Sequence, residues 1–374
     1  MKNYGIDSIP MGSFFSEPVY LDKNFILTAP EVNFSQELLK TLKIWEFKEV
    51  RSEGDPQEDY SGAEEIVQEA EGEKSLLSDG AELREAEKFY TDFLKYVENL
   101  FTQMLTKKEL YFSQISERIK ELCDIIRDNR RHILRAMKND IEIKNYLASH
   151  ALRSTIIAII IGNYLKLPPY RLIELGVAAL LHEAGMIQLP THTYLSDRTL
   201  TPQEQKLILS HPIYGFNLLK NYDFPLVVNL AALEHHEREN GTGYPQKLTG
   251  DKISLYAKII AVACSYEALT NSRPHKDAKD GYSGMLDLLK NEGKQYDDTV
   301  VKALVFSLSI YPIGLYVLLS SGGKGQVVDV NPENPKFPIV QVFGELNPDG
   351  KNKVIETSQE GVHIIRPLQK EEIA

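Results

Sequence analysis

The stretch Leu181-His182-Glu183-Ala184-Gly185-Met186-Ile187-Gln188-Leu189-Pro190 decides how this chain is interpreted. It closes an apolar segment, residues 172–181, of the kind that forms a buried helix. His182 and Glu183 stand side by side where Gly185 and Pro190 predict the end of that helix. A histidine beside a carboxylate at a helix end is usually a solvated or capping pair, so the stretch gains its meaning from the residues around it.

A set of metal-capable side chains accompanies this pair. It consists of His150, His182, Glu183, His211, His235 and His236, with Cys264 on a later helix. Two divalent cations held by imidazoles and a bridging carboxylate can lower the pKa of a shared water and clamp both oxygens of an in-line phosphoryl displacement. The set therefore predicts metal-assisted phosphoester hydrolysis. Taken singly, each histidine could instead be a hydrogen-bonded structural imidazole.

Composition restricts the class of protein. With 374 residues and 43% hydrophobic content, the chain can bury a large core in two or three domains. The longest apolar run, residues 156–167, is shorter than the ~20 residues of a membrane span, and the N-terminus has no signal-peptide segment. We therefore expect a cytoplasmic protein without a membrane span. Cys123 and Cys264 are far apart in sequence and do not indicate a disulfide framework.

The negative charge is concentrated in one segment. Residues 52–88 hold thirteen acidic and three basic side chains, which accounts for almost all of the net charge of −11. No basic stripe with interleaved aromatic residues is present, so we expect no nucleic-acid polymer as a partner.

The pattern along the chain predicts a mainly α fold with smaller β-containing ends. We expect a small α/β module at residues 1–51, an acidic flexible linker at 52–84, a helical arm at 85–140, a helical domain at 141–310 and a β-rich tail at 311–374. In the first module, strands are predicted at 14–20 and 25–29, and a helix at 36–45. The arm carries an apolar stripe at helical spacing, and could form a hairpin packed on the next domain or a coiled coil that pairs two subunits.

The helical domain is predicted to contain seven helices, and Thr201-Pro202-Gln203-Glu204 marks the start of one of them with an N-cap, a first-position proline and a third-position glutamate. Their expected spans are residues 144–165, 169–182, 201–210, 212–222, 226–235, 254–271 and 283–291. In the tail, strands are expected at 315–319, 326–330, 338–343 and 362–365, with a turn at 320–325. The glycine-rich segment 322–325 lacks the helix and spacing of a phosphate loop, and we interpret it as a hairpin turn.

Residues 147–276 of the helical domain contain a series of motifs in a fixed chain order. They are His150, His182-Glu183, His211-Pro212-Ile213-Tyr214-Gly215, His235-His236-Glu237, Gly243-Tyr244-Pro245, Leu248-Thr249-Gly250 and Ser272-Arg273-Pro274. This series resembles the HD-GYP family of cyclic di-GMP phosphodiesterases. Residues 11–19, 311–314 and 330–335 also resemble segments that flank such domains.

This resemblance implies an HD-type helical bundle with two divalent metal ions, iron or manganese, that opens cyclic di-GMP to linear pGpG or GMP. His182 and Glu183 would be catalytic, with Glu183 at the bridging position. Gly243, Tyr244, Pro245 and Arg273 would bind the substrate, and Arg273 could be a bidentate phosphate donor. The metal ligands would be His182, Glu183, His211, His235, His236 and Cys264, with His150 as an additional ligand.

The chain departs from the family pattern at the expected reaction centre. Glu183 replaces an aspartate, Met186 replaces a lysine that would stabilise phosphate charge, and Cys264 replaces a later aspartate ligand and would favour zinc. Tyr146 stands where members with a third metal carry a glutamate. Two hypotheses follow: a phosphodiesterase with weakened activity, or a catalytically inactive domain that binds the nucleotide or a signalling protein.

Overall fold

The structure is a computed structural model. It describes residues 2–10, 13–17, 19–20, 26–28, 34, 39, 42, 48–57, 77–106, 110–137, 146–195, 198–271, 279–331, 334–347, 352–368 and 372. The chain divides into two compact units, Met1–Leu77 and Ser78–Ala374.

The first unit contains short antiparallel strands. They are β1 (Lys2–Gly5), β2 (Phe14–Phe15), β3 (Val19–Tyr20), β4 (Ile26–Thr28), β5 (Glu49–Ser52) and β6 (Pro56–Gln57). One sheet has the order β1-β5-β3-β4, and β2 pairs with β6. Strands β2, β3 and β4 lie within the predicted runs, whereas β1, β5 and β6 were not predicted, because such short polar strands lack a clear alternation. The helix predicted at residues 36–45 lies mostly outside the described residues.

The second unit begins with two long helices, α1 (Leu77–Leu105) and α2 (Phe112–Ala136). The apolar stripe of α1, which includes Phe93, Val97 and Met104, is almost completely buried in the core of this unit. The guanidinium of Arg118 on α2 lies 5.3 Å from the ring centroid of Phe93. The stripe is therefore covered by the chain's own residues. The domain boundaries given above remain predictions.

The helical domain contains nine further helices among the described residues. They are α3 (Tyr146–Tyr164), α4 (Pro169–Leu181), α5 (Thr191–Tyr194), α6 (Pro202–Leu209), α7 (His211–Asn221), α8 (Leu226–Glu234), α9 (Leu255–Thr270), α10 (Gly281–Lys290) and α11 (Asp298–Leu308). All seven predicted helices are present within a few residues, and the mainly α fold class is confirmed. Helices α5 and α11 were not predicted.

Helix α3 lies at the centre of the domain, since its residues from Leu147 to Gly162 are all buried. It packs against α4, α9 and α11. The predicted start of α6 is confirmed: the Thr201 hydroxyl accepts a 3.3 Å hydrogen bond from the Glu204 amide, and the Glu204 carboxylate accepts a 2.8 Å bond from the Thr201 amide. This reciprocal cap fixes the loop that leads into α6.

The C-terminal residues form one antiparallel sheet of order β10-β9-β8-β7-β11. The strands are β7 (Tyr316–Leu319), β8 (Lys324–Asp329), β9 (Ile339–Leu346), β10 (Asn352–Glu356) and β11 (Ile364–Pro367). The predicted hairpin turn lies between β7 and β8, with Gly322 at a φ of +84°. Strand β10 was not predicted. No helix among the described residues has both the length and the apolar character needed to cross a membrane.

Candidate metal centre

Helix ends bring the predicted ligands together. His182 caps the C-terminus of α4, His211 begins α7, and His235 caps the C-terminus of α8. Glu183 and His236 follow directly in the chain. Because these ligands lie at the ends of three packed helices, the arrangement is held by the core of the domain rather than by flexible loops.

Two groups of metal-capable side chains result, and they share one carboxylate. The first group is Glu183, His211, His235 and His236, and the second is His150, His182 and Glu183. In each group, one ligand atom per residue lies within 4.8 Å of the others. Glu183 Oε2 is 3.3 Å from His211 Nε2, and Glu183 Oε1 is 3.8 Å from His150 Nε2. Glu183 therefore lies between the two groups, as a bridging ligand would.

Three of the histidines are oriented in the same way. The Nδ1–H of His182 donates to the Ala179 carbonyl at 2.7 Å, that of His211 to Ile208 at 2.6 Å, and that of His235 to Ala232 at 2.9 Å. Each acceptor is the carbonyl three residues earlier in the chain. Since a carbonyl can only accept, the proton resides on Nδ1, and Nε2 carries a lone pair directed into the site.

The free nitrogen and oxygen atoms fit a cation. His211 Nε2 and His235 Nε2 are 3.2 Å apart, and both are acceptors in the tautomers described above. His182 Nε2 and Glu183 Oε2 are buried without a hydrogen-bond partner among the described residues. Buried lone pairs that face one another are costly unless a positive charge lies between them. The donor set therefore fits bound metal ions.

His150 is oriented by a residue that the sequence analysis missed. Its Nδ1 makes a short hydrogen bond to the carboxylate of Glu267 on α9, and both side chains are almost fully buried. A histidine held by a carboxylate in this way is a more basic metal ligand. The two residues are 117 positions apart in the chain, so no local spacing links them.

The protonation states suit metal binding as well. Burial lowers the pKa of His182 to about 4, and it lowers the pKa values of His235 and His236 well below their usual range. Burial alone would raise the pKa of Glu183, but the surrounding imidazoles, His211 first, lower it to about 2. At neutral pH His182, His235 and His236 are thus neutral and the Glu183 carboxylate is charged, which are the forms that bind metals.

A close backbone crossing explains the two glycines of the motifs. A Cβ on Gly185 would lie 1.9 Å from the His211 carbonyl oxygen and 2.6 Å from the Gly215 amide nitrogen. Only glycine permits this approach at position 185. The crossing places the end of α4 directly against α7, and so sets Glu183 beside His211.

The two groups lie at a cavity of about 600 Å³ whose lining includes His150, Glu183, His211 and His236. Met186 and Cys264 also line it. The Cys264 thiol lies 3.6 Å from the Ala261 carbonyl, to which it donates, and Cys264 belongs to neither group of ligands described above. Its role as a ligand remains a prediction.

Of the predicted substrate-binding residues, Tyr244 lines the cavity, and its ring stacks on His236 with centroids 4.6 Å apart. The Tyr244–Pro245 peptide bond is cis. A Cβ on Gly243 would lie 2.4 Å from the Glu237 Cα, so this glycine is required for packing. Arg273 lies outside the described residues.

The Glu237 carboxylate holds the loop of residues 243–248. It accepts hydrogen bonds from the backbone amides of Gln246 at 2.6 Å and Leu248 at 2.9 Å. Glu237 is buried, and charge-assisted bonds of this kind are about twice as strong as neutral ones. The loop is therefore fixed to the residue that follows the His235-His236 pair.

Arg238 is a second residue that the sequence analysis missed. It lines the cavity, and its guanidinium donates to the Glu237 carbonyl at 2.9 Å and lies 5.1 Å from the Tyr296 ring centroid. Arg198, which also lines the cavity, pairs with Glu204. A positively charged side chain beside a metal centre suits an anionic ligand. In the sequence, the signal for Arg238 was its position directly after Glu237.

Comparison with known proteins gives the following relatives. Residues 122–300 match the HD domain family model. The chain is 29% identical over 196 residues to the cyclic di-GMP phosphodiesterase PdeB of Borreliella burgdorferi, covering 52% of each chain. It is 31% identical over 194 residues to the cyclic di-GMP phosphodiesterase response regulator RpfG of Xanthomonas campestris pv. campestris, covering 51% of each chain.

Among solved structures, the chain is similar to an HDG"Y"P protein from Bdellovibrio bacteriovorus. The sequence identity is 15%, the TM-score is 0.49, and the match covers 81% of this chain and 97% of the other. The chain spans about half the length of PdeB and RpfG.

Proposed function

We propose that the chain carries an HD domain of the HD-GYP type and is a metal-dependent phosphodiesterase that opens cyclic di-GMP to linear pGpG or GMP. The observation that supports this proposal best is the pair of ligand groups that share Glu183 at the cavity. This arrangement suits two-metal hydrolysis, in which two ions would bind both the attacking and the leaving oxygen of the reacting phosphate.

The protein supplies the ligands for that chemistry. His211, His235 and His236 would hold one ion and His150 and His182 the other, with Glu183 shared between them. When bound, the ions would supply a nucleophilic hydroxide and Lewis acidity at the phosphate. We infer iron or manganese from the resemblance, and zinc if Cys264 becomes a ligand.

The remaining cavity residues would bind and orient the nucleotide. The ring of Tyr244 offers a flat aromatic surface, Arg238 offers a positive charge, and both line the cavity. Arg273 would be a further phosphate donor. The loop that Glu237 holds would keep Tyr244 stacked on His236, since the Gln246 and Leu248 amides in that loop donate to the Glu237 carboxylate.

We propose that the activity is weak compared with that of an unaltered family site. Met186 is almost fully buried and lines the cavity, where a lysine would stabilise phosphate charge. Removing one such electrostatic group typically lowers a rate by a factor of ~10² to 10³. Glu183 also extends further than an aspartate, and Cys264 is a softer ligand than the carboxylate it replaces.

The presence of Met186 where a lysine would stabilise phosphate charge also favours a second candidate function. In it, the domain is inactive and binds the nucleotide or a signalling partner. Pairing of two subunits through the helical arm and a cytoplasmic location also remain proposals. The buried stripe of α1 leaves its polar faces for any such contact.

One experiment separates the two candidates. The protein is purified without oxygen, its metal content per chain is measured, and cyclic di-GMP is followed with manganese, iron or zinc added. Two metals and a linear product support the enzyme. The opposite outcome has two parts: the natural chain binds the nucleotide without turnover, and a Met186→Lys and Cys264→Asp double variant turns it over. This outcome refutes enzymatic activity for the natural chain and supports the binding module.

A further inference from the structure

A buried line of polar side chains connects His150 with helix α1. His150 and Arg153 lie three positions apart on α3 and therefore project from the same side of the helix. Both face Glu267 on α9: its Oε2 makes the short bond to His150, and its Oε1 is 3.8 Å from Arg153 Nη1. Glu267 thus contacts a metal ligand with one oxygen and a buried cation with the other.

The line continues to Tyr90 on α1. Its hydroxyl is buried beside Arg153 without a hydrogen bond of standard geometry. Burial raises the pKa of Tyr90, and the Arg153 guanidinium opposes that shift. Arg153 Nε is likewise buried without a hydrogen-bond partner among the described residues. Buried polar atoms left without a full set of hydrogen bonds are uncommon in folded proteins, and in a low-dielectric interior they are costly.

We propose that Glu267, Arg153 and Tyr90 are positioning residues that couple the metal affinity of His150 to the placement of helix α1. The charge of Glu267 makes His150 a stronger ligand, and Arg153 offsets part of that charge. Any displacement of α1 moves Tyr90 relative to Arg153 and so changes how strongly Arg153 engages Glu267. This inference depends on the metal centre of the proposed function, but not on its substrate.

His150 is suited to this coupling because its orientation has a different origin from that of the other ligands. His182, His211 and His235 are held by carbonyls three residues away in their own segments. His150 is held by Glu267 from a different helix. A shift of one helix against another therefore changes the orientation of His150 directly. His211 and His235 keep the carbonyl partners of their own segments.

The test is a titration of the metal-free full-length chain with Co²⁺ without oxygen, monitored by its visible absorption. Wild type should show two binding steps, and His150→Ala identifies the step that belongs to the His150 group. Glu267→Gln should weaken that step by on the order of 10-fold and shift its absorption bands, while the other step keeps its affinity. Tyr90→Phe should weaken the same step by about 2- to 30-fold.

Tyr96→Phe is the matched control. It removes a phenol oxygen from the same helix, where the ring faces Arg118 instead of Arg153. If Tyr90→Phe and Glu267→Gln bind both Co²⁺ ions as wild type does, the coupling is refuted while the metal centre stands. If wild type binds no Co²⁺, the metal centre itself is refuted. A melting temperature for each variant separates lost folding from lost affinity.

Discussion

Replacing Gly185 by alanine tests the geometry on which the metal centre depends. The added Cβ would lie 1.9 Å from the His211 carbonyl oxygen, whereas real Cβ contacts stay above 3.0 Å, so the backbone must give way by at least about 1 Å. Overpacking of this kind costs about 1–3 kcal/mol. The same movement separates Glu183 from His211, whose ligand atoms are 3.3 Å apart. A 1 Å misplacement at a reaction centre can lower a rate by ~10²-fold.

The assay is urea unfolding of the metal-free variant together with a metal titration. We expect the free energy of unfolding to fall by about 1–3 kcal/mol and the metal affinity at the His211 group to fall. Gly215→Ala is a milder change at the same crossing, because its Cβ would come no closer than 3.2 Å to a neighbouring atom, the Gly185 amide nitrogen. Gly80→Ala, whose nearest neighbour would be at 3.8 Å, should stabilise α1 by up to ~1 kcal/mol. A Gly185→Ala protein with wild-type stability and metal affinity would refute the role of the crossing.

Three further predictions follow from the same site. As the pH falls from 6.5 to 4, the metal-free protein should lose about 3 kcal/mol of stability from His182 alone. The imidazole of the unfolded chain binds a proton in this range, whereas the buried imidazole, with a pKa of about 4, stays neutral until the pH is lower. Urea unfolding at several pH values checks this, and a flat profile contradicts it. A metal ion at 100 times its dissociation constant should stabilise the protein by ~2.7 kcal/mol, and a chelator should reverse the shift in calorimetry; an unchanged melting temperature argues against a bound metal. Glu237→Ala should weaken binding of a fluorescent cyclic di-GMP, because the loop that carries Tyr244 is no longer held. The backbone amides of Gln246 and Leu248 lose their buried acceptor, at a cost of about 1–3 kcal/mol each. Metal content should stay constant in that variant, and a loss of metal would show that Glu237 supports the ligands instead.

Much of the helical domain could be predicted from the sequence, because its helices begin and end with strong local signals. The cap at Thr201 and the prolines at the starts of α4 and α7 are examples. Helix α11 was missed although Asp297 caps it, since its β-branched and apolar residues lack the clear polar face of an exposed helix. The short polar strands β1, β5 and β10 were missed because a few residues without alternation carry no periodic signal.

The side chains that the structure brings together could be named from the sequence where they are neighbours in the chain or share a motif. Glu267 was missed because only the packing of α3 against α9 brings it to His150. From the sequence, Gly243 was assigned a substrate-binding role and Cys264 a role as a metal ligand. The structure gives Gly243 a packing role beside Glu237, and it places Cys264 outside the two ligand groups. These assignments needed distances that no spacing rule supplies.

The buried stripe of α1 has a practical consequence for anyone who trims this protein. The family match begins at residue 122, in the middle of α2, yet Phe93, Val97 and Met104 fill the interior that the matched segment shares. A fragment that begins at residue 122 would lack these side chains, would contain only part of α2 and would expose apolar surface to water. A shortened chain that keeps this core intact should therefore start no later than Leu77, the first residue of α1.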